Sequence, residues 1–226
     1  MMIDDLEIFT RKESLCEELA PYVFDGPFGP SLKHPLVFCV IGLDVERAGL
    51  YNRQYQAKKQ AVENAITEKK WSHALVLHER PHRLEFFLEQ QEQMTDEEYW
   101  ETLAWVIIDS ENLWQYDAQL RFALLNPKRE ASRYLLMDEA ERAALKMLPD
   151  EIPIWRGCQW RNRFGMSWTA NKDTAIWFAR RLNEKKPRLH SGVISKSDVI
   201  AHFCGRNEQE ILAFHTKIRN KKLELL

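Results

Sequence analysis

At Leu148-Pro149-Asp150 the apolar residues of the chain change their period, and this change constrains the fold more than any other feature. Ahead of it, apolar positions recur three and four residues apart over stretches free of proline, the spacing of amphipathic helices. After it come short alternating runs that suit half-buried strands. Residues 45–69 hold no proline and only one glycine, Gly49, and read as a long helix. Thr95-Asp96-Glu97-Glu98 is a capping box, and it opens a helix through Trp100, Leu103, Ala104 and Ile107. Residues 113–125 and 138–148 give two more helices, with Asn126-Pro127 as a break. Beyond Pro149, residues 152–156, 165–169, 191–196, 199–203 and 208–215 read as strands, with one helix over 173–182 and a final strand in 217–226. The expected class is α+β: a helical region, residues 1–149, packed on a small, mostly antiparallel β unit, residues 150–226.

Composition supports a folded chain without a membrane span. Of 226 residues 45% are hydrophobic, with eight Trp and eleven Phe, ample for a core and unlike disorder. The first nine residues carry acids and no base, which excludes the charged start of a secretory signal. The longest apolar run, residues 36–43, is far below the roughly 20 residues that cross a bilayer. A cytoplasmic protein is expected, with no membrane partner. Cys16, Cys39, Cys158 and Cys204 are widely spaced and form no CxxC pair, so reduced thiols are expected. Charge divides with the period: residues 1–149 carry a net −9 and residues 150–226 a net +7, which suits an anionic ligand on the C-terminal side.

His78-Glu79-Arg80-Pro81-His82 spells HExxH, which on a continuous helix would bring two histidines and a general base to zinc. Pro81 lacks an N–H and clashes with the carbonyl four residues back, so that helix is not expected to form. Pro81 fits the start of a new helix over 81–91 instead, and no metal is expected.

Three short motifs follow in order: Trp155-Arg156-Gly157, Ser167-Trp168-Thr169 and Glu208-Gln209-Glu210. Together, on predicted strands and in this order, they resemble the arginine/serine/glutamate signature of the mono-ADP-ribosyltransferase superfamily, in its bacterial or phage toxin-like members. Phe178 and Arg181 fall where bacterial members carry a nicotinamide-facing Phe and a phosphate-facing Arg. The resemblance covers residues 150–226 and implies an enzyme that cleaves NAD⁺, its substrate, at the nicotinamide bond. ADP-ribose would pass to a macromolecular acceptor, with protein arginine favoured and RNA or DNA possible. By analogy the chain would be a toxin or a phage-conflict effector, neutralised by an antitoxin or another partner protein.

The residue types suit that chemistry. A guanidinium grips two phosphate oxygens at once, which suits Arg156 and Arg181 to a pyrophosphate. A carboxylate beside the ribose 2′-hydroxyl stabilises the oxocarbenium-like cation more than the ground state. The resemblance assigns this role to Glu210, the nucleophile-orienting role to Glu208, and support of the carboxylate to Ser167. Strand alternation would set Glu208 and Glu210 on one face. Gly157 and Thr169 complete the expected NAD⁺ contacts, while Arg206, Asn207 and Glu208 form the expected acceptor loop. Two alternatives remain open: an NAD⁺ glycohydrolase, and an inactive module that binds a nucleotide or a partner.

Overall fold

The computed structural model describes residues 12–110, 113–181, 186–205 and 209–226. The chain is α+β with antiparallel sheets, and it forms two compact units, Met1–Met94 and Thr95–Leu226. The change of period at Pro149 therefore falls inside the second unit: the helices of residues 96–147 belong with the C-terminal sheet and not with the N-terminal unit.

The first unit is not purely helical. It contains an antiparallel sheet of β1 (Val23–Gly26), β2 (Gly29–Lys33) and β3 (Phe38–Cys39), in that order. Gly29 closes the first hairpin with φ 97°, a conformation that a side chain would strain. Three helices follow: α1 (Gly49–Thr67), α2 (Trp71–Leu77) and α3 (Arg83–Gln90). Leu32, Val37, Ala48, Ala74, Leu75 and Phe87 are fully buried in this unit.

The HExxH residues do not share a helix. α2 ends at Leu77, His78 is extended with ψ 143°, and Pro81 sits in the 3₁₀ turn Arg80–His82 that leads into α3. His78 Nδ1 lies 2.8 Å from the Ala74 carbonyl and its ring stacks on Phe86. His82 Nδ1 faces Glu85 instead, at 3.3 Å.

The second unit opens at the capping box. Thr95 Oγ1 accepts from Glu98 N at 3.3 Å while Glu98 Oε2 accepts from Thr95 N at 2.8 Å, which starts α4 (Asp96–Asp109). A second box, Asp138 with Glu141, starts α6 (Glu139–Met147), with α5 (Asp117–Leu124) between them. Tyr99 Oη donates to the Ala123 carbonyl at 2.9 Å, tying α4 to α5.

The six-stranded sheet runs β7-β8-β5-β4-β6-β9, from β4 (Glu151–Cys158), β5 (Ser167–Thr169), β6 (Arg188–Ser195), β7 (Ala201–Phe203), β8 (Glu210–Leu212) and β9 (Arg219–Leu225). One face carries the core of Ile152, Ile154, Trp168, Ile194 and Ile211. Helix α7 (Lys172–Arg180) packs at Gly157 on β4, whose neighbours along the strand face the other way. A Cβ on Gly157 would lie 1.9 Å from the Ala175 carbonyl oxygen and 2.4 Å from Ala179 N, so only glycine allows this approach.

Gly157→Ala must push the α7 backbone off the sheet, and we expect a loss of about 2 kcal/mol or more. Thr95→Ala removes a cap and should cost about 1 kcal/mol. Urea unfolding of both variants checks the ranking, which a smaller loss for Gly157→Ala would contradict.

Candidate functional site

The strands carrying the first two motifs and Glu210 are neighbours. β4 pairs with β5 through Trp155↔Thr169, and β5 pairs with β8 through Thr169↔Glu210 and Ser167↔Leu212. Directly paired residues and those two apart share a face, so Ser167, Thr169 and Glu210 lie on one face of the sheet. Ser167 is exposed, Glu210 half-buried and Thr169 buried.

Thr169 also shapes the approach to α7. Its Oγ1 accepts from Asn171 N at 3.0 Å, and Asn171 Oδ1 accepts from Asp173 N and Thr174 N at 2.9 and 3.2 Å, capping the helix. Phe178 and Arg181 occur together at the far end. The Arg181 guanidinium carbon lies 4.8 Å from the half-buried Phe178 ring centroid, and Trp177 meets Phe178 edge-on.

Arg156 departs from the expectation. It alternates with Ile152 and Ile154 and therefore roots on the sheet face opposite Ser167, Thr169 and Glu210. Its Nε and Nη2 donate to the Asn162 carbonyl at 3.3 and 3.0 Å, and its Nη1 donates to the Ser167 carbonyl. A Cβ on Gly165 would lie 2.4 Å from Nη2, so that glycine makes room for the guanidinium. Three of the five N–H donors serve the backbone. Burial pulls the Arg156 pKa down, while Cys158 and Glu210 oppose the shift, so the Glu210 carboxylate lies within electrostatic reach of the guanidinium. Gly157, expected at NAD⁺, is occupied by its contact with α7.

Arg206, Asn207 and Glu208, the expected acceptor loop, lie outside the described residues. The alternation argument for Glu208 and Glu210 does not carry across Gln209, which has φ 44°, because β8 begins only at Glu210.

Sequence reasoning missed a second group of polar residues in the sheet. His190 on β6 pairs with Arg156 and is 6% exposed, yet neither ring nitrogen has a partner among the described residues. Trp168 Nε1 is likewise buried and unpartnered, and the Trp168, His190 and His215 rings lie 6.2 Å apart in each pairing. The signal was available: His190 is four residues before Ile194, on the core face of an alternating run. Among the described residues no group of three or more His, Cys, Asp or Glu side chains forms a metal site, and no helix is long and apolar enough to cross a membrane.

Burial lowers the His190 pKa from 6.5 to about 4, helped by His215 and by Arg156, Arg163 and Arg188. Because the folded pKa lies below the unfolded one, the unfolded chain takes up more protons between these values, and stability falls as the pH drops through this interval. His34, half-buried in the first unit, is also lowered to about 4 and adds to the same trend. Urea midpoints measured from about pH 6.5 down to about pH 4 should fall, and His190→Gln should flatten part of that slope. An unchanged slope in the variant would remove His190 from the account. Comparison of this chain with protein families, with curated proteins and with solved structures finds no match.

Proposed function

We propose that the chain is a mono-ADP-ribosyltransferase, its six-stranded sheet an ADP-ribosyltransferase-type β unit that cleaves NAD⁺ and passes ADP-ribose to a macromolecular acceptor. The observation that carries the reading is the register Trp155↔Thr169↔Glu210, which sets three motif strands side by side with Ser167, Thr169 and Glu210 on one face. In this reading the bond between the ribose C1′ and the nicotinamide nitrogen breaks and nicotinamide leaves with the electron pair. The acceptor nucleophile then bonds to C1′ and loses its proton. Glu210 stabilises the developing cation, a charge larger in the transition state than in bound NAD⁺. Ser167 supports that carboxylate, Phe178 stacks on nicotinamide, and Arg181 meets phosphate. Arg156 acts differently from a free clamp: it holds the Ser167 carbonyl and places a positive charge near Glu210.

One observation favours a second reading, a nucleotide-binding module without turnover: most Arg156 donors are committed to backbone carbonyls. Nicotinamide release separates the two. Under the transferase reading, Glu210→Gln lowers NAD⁺ cleavage at least about 100-fold and leaves NAD⁺ affinity within a few fold, since it removes an interaction made mainly in the transition state. If the wild-type protein binds NAD⁺ and releases no nicotinamide with any acceptor, the module reading stands.

Glu208 supplies a sharper test of the acceptor. A protonated arginine, with a pKa above about 12, needs a base to attack, whereas water needs less activation. Glu208→Gln should therefore abolish transfer to protein while slow hydrolysis of NAD⁺ persists. Loss of both to background would give Glu208 the same role as Glu210.

A further inference from the structure

Between β4 and β5 the chain forms a short loop, residues 159–166, with no helix or strand of its own. Its conformation is fixed from within: Asn162 Oδ1 accepts from Gln159 N at 2.8 Å, Gly165 N donates to the Asn162 carbonyl at 3.1 Å, and Arg156 donates to that same carbonyl. The loop presents Trp160, 58% exposed, and Phe164, 51% exposed. Arg163 stacks on both, its guanidinium carbon 3.7 Å from the Trp160 centroid and 4.3 Å from the Phe164 centroid. Arg188, from β6, lies 4.8 Å from the same Trp160 ring. One indole thus holds two guanidinium groups in place.

Among the described residues neither Arg163 nor Arg188 forms an ion pair, in contrast to Arg121 with Asp117, Arg129 with Asp96 and Arg219 with Glu151. Among the described residues Arg188 Nε and Nη1 are buried with no hydrogen-bond partner, and the nearby His190 has none at either ring nitrogen. Arg156, Arg163 and Arg188 all act on the Cys158 thiol and on His190, so three positive charges gather in one region. From Ile152 to Lys172 the sequence has no Asp or Glu. Buried donors and clustered like charges are costly unless an acceptor of opposite sign meets them. A phosphate group supplies negative charge and several acceptor oxygens, and planar guanidinium groups match it in paired hydrogen bonds.

We propose that Arg163 and Arg188, aligned by Trp160 and flanked by His190, form a binding site for a phosphate ester, separate from the face that carries Ser167, Thr169 and Glu210. The site does not depend on the transferase reading. Its ligand is a phosphate of a dinucleotide or of a nucleic-acid backbone, the same chemistry from two sources.

The test uses the full-length protein and inorganic pyrophosphate, with calorimetry and Trp fluorescence as readouts. We expect saturable binding, weakened at least tenfold by Arg163→Gln and by Arg188→Gln and left unchanged by Arg180→Gln, an exposed residue at the end of α7. Arg163 lies on a loop and its substitution spares the sheet, so folding of that variant keeps the test decisive should Arg188→Gln unfold. Displacement by NAD⁺ identifies a dinucleotide phosphate, and displacement by a single-stranded RNA oligonucleotide alone identifies a nucleic-acid phosphate. Absence of saturable binding, or affinities unchanged in Arg163→Gln, overturns the site. Glu210→Gln separates the two ideas: it should leave pyrophosphate binding intact, so lost turnover with retained binding speaks to the transferase face alone. A wild-type protein that binds pyrophosphate and releases no nicotinamide keeps this site and loses the enzyme.

Discussion

The donation of the Arg156 guanidinium to the carbonyls of Asn162 and Ser167 is the interaction on which both sides of the C-terminal sheet depend. A loop of this length has backbone groups that no helix or strand satisfies, and hydrogen bonds to a charged donor are stronger than neutral ones. Asn162 gathers the loop through its own carbonyl and amide, and Arg156 fastens that hub to the strand from which the guanidinium springs. The same side chain reaches the main chain of β5 at Ser167. Gly165 leaves room for the guanidinium, whose end a Cβ there would displace. Substitution of Arg156 would thus disturb loop and strand together, and reduced NAD⁺ binding in such a variant would not by itself show a contact with phosphate.

A second relay joins the sheet to α7. Thr169 closes the turn at Asn171, Asn171 caps the helix, and Gly157 lets the helix backbone touch the strand. Capping fixes where α7 begins, and the glycine contact fixes how closely it lies. The position of Phe178 and Arg181 follows from both. Three residues singled out for chemistry, Thr169, Gly157 and Arg156, hold the site in shape through interactions visible without a ligand.

What was legible in the sequence was what is local. The Thr95 capping box, the helix of residues 96–109 and most strands beyond Pro149 are specified by residues within a few positions of one another and form within a few residues of their expected bounds, whereas the strand expected over 208–215 is only Glu210–Leu212, with a 3₁₀ turn over His215–Lys217. β1, β2 and β3 were not legible, because they are two to five residues long and include Gly29 and Pro30, too short and interrupted for alternation to register. The division into units at Met94 also escaped, since periodicity reports secondary structure and not which elements touch. The site was legible in part: the motifs name Thr169 and Glu210, but their pairing across β5 and β8, the left-handed Gln209 and the face taken by Arg156 come from the fold. A polar motif names residues and leaves open whether their donors are already used.

The charge imbalance of the sequence shows the same distinction. A net +7 over residues 150–226 suggested an anionic ligand, but net charge alone could not distinguish solvated cations from a built site. Arg219, paired with Glu151, and Lys196, paired with Asp150 and donating to the Leu148 carbonyl, are spent on structure. Arg156 is spent on the loop. Arg163 and Arg188 are held differently, with aromatic faces as neighbours where those residues have carboxylates. An aromatic ring steadies a cation without neutralising it, because the ring supplies a quadrupole and no net charge. A carboxylate would have cancelled the field at that position. The choice of Trp160 over an acid therefore keeps two guanidinium groups ordered and still attractive to an anion.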